Sequence, residues 1–162
     1  MNLKVRQIAS NEYHILEDFL YYAIFVPVGV NPPPREIIFE PEIFIYIKEF
    51  GGKNDFCVLA EQDGKIIGAA WARIIPAYGH IDDETPELAI SVLPDCRGQG
   101  IGNKMMETLF GLLRENGYKQ TSLSVQKNNP ALRLYKRLGY KITGEETDHA
   151  GNEDYLMIKK LI

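Results

Sequence analysis

Apolar and polar positions alternate along LKVRQIA, residues 3–9, and predict a half-buried first strand. The period then lengthens: Ile15, Leu16, Phe19 and Leu20 recur at helical spacing behind Ser10, a residue type that caps helix N-termini. The stretch VPVGVNPPPREII, residues 26–38, carries four prolines and a glycine and predicts an ordered loop, because proline fixes φ and offers no N–H. Glu40-Pro41 opens a second helix running to Phe50, with proline at its first position and Gly51-Gly52 closing it. FCVLAEQ, the turn Asp63-Gly64 and KIIGAAWARII predict a hairpin, followed by a loop over 76–86 and the apolar strand ELAISVL. A long helix with Met105, Met106, Leu109, Leu112 and Leu113 on one face ends at Asn116-Gly117. The strand TSLSVQ, a short helix in PALRLYKRLG and the strands YKITGEE and DYLMIKKL complete the chain. Strands, a crossover helix and strands again imply a mixed sheet with helices on its faces, in one domain over residues 1–162.

Charge changes the picture more than composition does. The net charge is −4, but residues 1–96 carry 7 basic against 15 acidic side chains, residues 97–141 carry 9 against 2, and the last 21 carry 2 against 5. The basic block suits a polyanion, and the acidic surplus of residues 1–96 suits a cationic amine. Two cysteines, Cys57 and Cys96, are too few for a disulfide scaffold and fit a cytoplasmic protein. The longest apolar stretch, around Phe19 to Val30, is broken by Pro27, so no membrane span is expected.

The basic block opens at RGQGIG, residues 97–102, directly behind ELAISVLP. Glycines between a strand and a helix N-terminus let main-chain N–H groups approach an anion, which the helix dipole also favours. This is not the NTP-binding P-loop, which places Lys-Ser/Thr after its last glycine where Asn103-Lys104-Met105 stands here. A dinucleotide fingerprint would need a glycine or alanine at Asn103 and an acid ending the next strand, which instead reads Ser124-Val125-Gln126.

A second constellation follows in NNPALRLYKRLGY, residues 128–140, and the two together resemble the GNAT family of acyl-CoA-dependent N-acyltransferases. The first family pattern is met by Arg97, Gly100 and Gly102, the second by Asn128, Ala131, Leu134, Tyr135, Gly139 and Tyr140. The resemblance covers residues 54–142 well, the first strand and helix loosely, and the proline loop hardly at all. It implies an α/β (α+β) fold: a mixed, mostly antiparallel twisted sheet of about seven strands flanked by about four helices.

It also implies acetyl-CoA as co-substrate, its pyrophosphate on the main chain of Gly98, Gln99, Gly100, Ile101, Gly102 and Asn103. Main-chain groups of Ile90, Ser91 and Val92 would hold the pantetheine arm and polarise the thioester. Tyr135 would protonate the leaving thiolate, Asn128 would contact the CoA arm, and Asn129 before Pro130 would cap the helix, two roles that could be exchanged. For the general base the candidates are Glu87, then Glu84, then a water chain, since an ammonium must lose a proton before it can attack. Tyr21, Tyr22, Phe25 and the proline loop would wall the acceptor pocket. Neither cysteine is expected to be a nucleophile, although Cys96 lies beside the loop. HIDDE, residues 80–84, lacks a metal-ligand spacing, so no metal is expected. His14 and His149 show no partner in the sequence. The implied reaction is direct transfer to an amine; a non-catalytic acyl-CoA sensor and a different nucleotide-binding α/β protein are the alternatives. No nucleic-acid partner is expected, and the resemblance admits a homodimer.

Overall fold

A computed structural model describes residues 2–162. Seven strands form one sheet: β1 (Leu3–Gln7), β2 (Phe56–Gln62), β3 (Lys65–Arg73), β4 (Glu87–Val92), β5 (Gln120–Gln126), β6 (Lys141–Thr147) and β7 (Glu153–Lys160). Their order is β1-β2-β3-β4-β5-β7-β6, with every neighbouring pair antiparallel except β4 and β5. Asp63 and Gly64 take φ of 52° and 81°, the left-handed pair that a two-residue hairpin turn requires between β2 and β3.

Alternation along β2 and β3 separates two cores. Val58, Ala60, Ala70 and Ala72 face helix α3 (Ile101–Glu115), while Cys57, Leu59, Ala69 and Trp71 face helix α1 (Leu16–Ala23). Both faces are therefore covered, which is why these strands read as continuous apolar runs. Helix α3 buries Ile101, Met105, Met106, Leu109, Phe110 and Leu113, with Leu112 only half-buried. Among the described residues no helix is long and apolar enough to cross a membrane.

Two helix expectations need correction. Ser10 does not cap a helix: a 3₁₀ turn occupies Ser10–Ile15, and Glu12 reaches back to the Ala9 N–H at 2.9 Å before α1 begins at Leu16. The second helix, α2, is one turn, Pro41–Phe44, preceded by a 3₁₀ turn at Arg35–Phe39 inside the proline-rich stretch. Residues 45–49 continue only as turns because the buried Arg73 claims their carbonyls: its Nη1 donates to Ile45 O at 3.0 Å and to Lys48 O at 2.9 Å. Asp55 neutralises that guanidinium through two hydrogen bonds of 3.0 and 3.1 Å. The β-branched Ile43, Ile45 and Ile47 add little helical preference to resist this.

The parallel pair shapes the site. β4 and β5 share a single register pair, Glu87 with Ser122, where the Ser122 N–H donates to Pro86 O at 3.0 Å. Beyond it the strands diverge, and helix α4 (Leu132–Arg137) lies beside the opening.

Candidate active site

Two cavities meet at the notch between β4 and β5. The first, about 570 Å³, lies over the glycine loop. Gly98 and Gly100 take φ of 77° and 78°, which costs glycine nothing and other residues a steric penalty, so the backbone turns sharply into α3. Gly100 is the N-cap of α3, whose first turn has no side-chain cap and no acidic residue. The opening N–H groups of the helix are therefore available to an anion. A Cβ at Gly102 would rest 3.6 Å from Leu134 and 3.7 Å from Ile90, ordinary contact distances.

Of the residues assigned to this task from sequence, Arg97, Gly98, Gly100, Ile101, Gly102 and Asn103 line the cavity, and Gln99 does not. Arg97 also braces the loop, donating from Nε to Val92 O at 3.1 Å and from Nη2 to Tyr22 O at 3.3 Å. Ile90, Ser91 and Val92 form one wall. The Leu93 N–H donates to Ile67 O at 2.8 Å, so the odd-numbered residues of β4 turn their main chain toward β3. By the same parity Ile90 and Val92 turn theirs into the notch, whereas the Ser91 peptide is spent on β3 and its hydroxyl donates to Phe19 O at 2.6 Å. Asn129 lines both cavities and also accepts the Ala131 N–H at 2.9 Å, while Asn128 is exposed and lines neither. Cys96 lines this cavity, half-buried; Cys57 is buried elsewhere in the core, and burial pushes its thiol pKa up.

The second cavity, about 320 Å³, lies between α1, α2, the loop before β4 and the turn between β6 and β7. Glu87 forms part of it and is only 2% exposed. Burial raises its carboxyl to about 7, against the opposing pull of hydrogen bonds from the Tyr46 hydroxyl and the Gly79 backbone. Its Oε1 is buried without a partner. A Cβ at Gly79 would lie 2.6 Å from the Glu87 carboxyl carbon, so this loop can lie on the carboxylate only with glycine there. Glu84, the reserve base, is exposed and lines neither cavity. Tyr22 lines the first cavity and Phe25 both, while Tyr21 fastens the proline loop by donating to Pro33 O at 2.6 Å.

Tyr135 stands at the junction, lining both cavities. Desolvation pushes its phenol up to about 12, so it holds its proton at neutral pH, and its ring packs edge-on to Tyr140 at 6.0 Å. The remaining groups come from distant segments. His149 does have partners: its ring shares a hydrogen bond of 2.6 Å with the Tyr78 hydroxyl and one of 3.0 Å with Glu40, clasping three loops at the rim. Its donor atom lies within 4.8 Å of those of Glu40 and Glu42, all three residues exposed. None of Tyr46, Gly79 or Tyr78 carries a signal in the sequence, because each acts only through a residue far away in the chain.

The sequence model of the acetyltransferase (GNAT) family matches residues 18–140. A mycothiol acetyltransferase of Thermomonospora curvata is 39% identical over 85 residues, 51% of this chain and 26% of that protein. An uncharacterised N-acetyltransferase of Mycobacterium tuberculosis is 32% identical over 108 residues, 64% of this chain and 65% of that protein. The chain thus spans less than two thirds of the length of either relative. Among solved structures, a GNAT superfamily phosphinothricin acetyltransferase from Sinorhizobium meliloti in complex with acetyl-CoA superposes with a TM-score of 0.69 at 19% identity, covering 99% of this chain and 89% of that one. The mixed seven-stranded sheet, the splayed parallel pair and the glycine loop agree with the family match over most of the chain, and the protein belongs to the acetyltransferase (GNAT) family.

Proposed function

We propose that the protein is an N-acetyltransferase that passes the acetyl group of acetyl-CoA directly to an amine, acting as one domain over residues 1–162. The observation that carries this reading is the meeting of two unlike cavities at Tyr135: Arg97 and Arg137 with an open helix N-terminus on one side, a buried carboxylate with a free oxygen on the other. The glycine loop and α3 N-terminus fit a pyrophosphate, having N–H donors, no acid and room on the side where a Cβ would sit. Bound acetyl-CoA would supply an activated acyl carbon, whose bond to sulfur breaks as its bond to the amine nitrogen forms.

Glu87 accepts the proton that the acceptor ammonium must lose, directly or through one water, and a carboxyl near 7 is matched to that task at neutral pH. The N–H groups of Ile90 and Val92 face the negative charge that develops on the acyl oxygen. Tyr135 gives its phenolic proton to the departing sulfur, and the phenolate is reprotonated by water in the open notch, which also takes up the second proton that the nitrogen sheds as the amide forms.

Calorimetric titration with acetyl-CoA, with NAD and ATP as controls, followed by a free-thiol readout over an amine panel, tests this. Selective acetyl-CoA binding with thiol release is expected; absence of acetyl-CoA binding would overturn the reading, and binding with no release from any amine would turn it into that of a sensor. Cys96→Ser should retain turnover, and its abolition would replace direct transfer with a covalent route.

A further inference from the structure

The acceptor cavity holds a second buried carboxylate that the transfer step does not use. Asp154, on β7, is 4% exposed and lines the same cavity as Glu87. Its Oδ2 accepts from the Ser124 hydroxyl at 3.3 Å, while Oδ1 is buried without a partner. A buried charged oxygen left unpaired is costly, so this atom calls for a donor from outside the chain. Burial, with Asp148 and Glu146 nearby, raises its carboxyl to about 6, and a cation placed there would relieve that repulsion.

The sheet registers fix how the two carboxylates are related. Glu87 pairs with Ser122 and Asp154 with Gln126, both on β5, so all four share one face. The two residues are therefore offset by about 13 Å along β5 and, lying on the strands on either side of it, by about 10 Å across the sheet. Leu20, Ile37, Ile43 and Tyr46 add apolar wall to the cavity. Glu42 and Asp148 add negative charge, and among the described residues no Lys or Arg lines it. An acceptor with one nitrogen at Glu87, methylenes on those walls and a second cation at Asp154 meets every one of these features.

We propose that Asp154 binds a second ammonium of the acceptor, so that the acceptor class is an aliphatic diamine whose nitrogens are separated by several carbons. The inference rests on the transferase reading for the amine at Glu87; it adds no new bond-making step, since the distal nitrogen stays protonated throughout.

The test compares α,ω-diamines of two to six carbons with n-alkylamines of matched length on the full chain. Thiol release gives kcat and KM, and calorimetry on the CoA-loaded protein gives binding without turnover. Diamines of four to six carbons should be favoured over matched monoamines by on the order of 10²-fold in kcat/KM, as expected for a buried charge pair, and 1,2-diaminoethane should lose that advantage. Asp154→Asn, with Asp154→Ser as a second variant, should remove the preference by raising KM for diamines. Both variants should leave kcat, acetyl-CoA affinity and monoamine turnover unchanged. Equal treatment of diamines and monoamines by the wild-type protein, or equal loss for both in the variants, overturns the inference while thiol release keeps the transferase reading. Asp154-dependent diamine binding with no thiol release does the reverse.

Discussion

The cavity over the glycine loop and the cavity around Glu87 share Ala23, Ile24, Phe25, Ile90, Asn129 and Tyr135 at their junction, yet they are built in opposite ways. The first is lined by two short stretches, 90–103 and 129–137, plus residues 22–26, and its charged lining residues are Arg97 and Arg137. The second gathers its lining from three helices (α1, α2 and α4), three strands and several of the loops between them, and its lining acids are Glu42, Glu87, Asp148 and Asp154, with no Lys or Arg among the described residues. On the proposed reading, a single splayed strand pair separates the room for the anionic co-substrate from the room for a cationic acceptor, and would keep the two apart until their reactive ends meet at Tyr135. Main-chain recognition tolerates sequence change because peptide groups do not vary, whereas recognition by converging side chains is open to it at every position.

This division predicts that substitutions on one side leave binding on the other intact. The largest effect is expected from Glu87→Gln, which should lower kcat by about 10²–10⁴-fold with acetyl-CoA affinity unchanged in titration. In the wild type kcat/KM should fall about tenfold per pH unit below about 7, because the base must be ionised, and a flat profile would remove Glu87 from that role. Tyr135→Phe, at the junction, should lower kcat by about 10²-fold while acetyl-CoA affinity changes little; unchanged kcat would leave the residue a packing role only.

Glu87 should also cost stability. Its carboxyl rises from the ordinary 4.5 to about 7 on folding, so the folded chain holds the proton more tightly and the wild type loses stability as pH climbs through that interval. Glu87→Gln escapes the loss: its stability relative to wild type should improve by about 3 kcal/mol between pH 4 and pH 8 in denaturant unfolding. A gap that does not change with pH would contradict the burial argument.

Smaller effects test the anion side. Gly100→Ala forces a side chain into the left-handed region at a cost of about 1–2 kcal/mol, so acetyl-CoA binding should weaken roughly tenfold with acceptor KM unchanged. Gly102→Ala, whose Cβ meets only ordinary contacts, should change affinity less than about twofold.

Most of the sheet was legible because local pattern and turn chemistry agree: β2 and β3 around Asp63-Gly64, β4 before the glycines, and α3 from its apolar stripe. The second helix was not, because its end depends on Arg73 drawing carbonyls away across the fold, an interaction 25 to 28 residues distant in sequence. Around the glycine loop, most of the residues that the sequence spacing singles out line one cavity, although Gln99 and Asn128 fall outside it and the Ser91 peptide faces the neighbouring strand. Strand parity decides that last point, and parity is set by pairing rather than by residue type.

What the sequence determined by itself, then, is the strand and helix grammar and the glycine loop, since each rests on the conformational preferences of neighbours in the chain. Only the tertiary structure decided that Glu87 lies under Gly79 and Tyr46, that His149 clasps Tyr78 and Glu40, and that Asp154 shares a cavity with Glu87. Those relations arise where strand register and loop closure bring distant side chains into low-dielectric contact, and burial there, rather than residue identity, sets their protonation and their use.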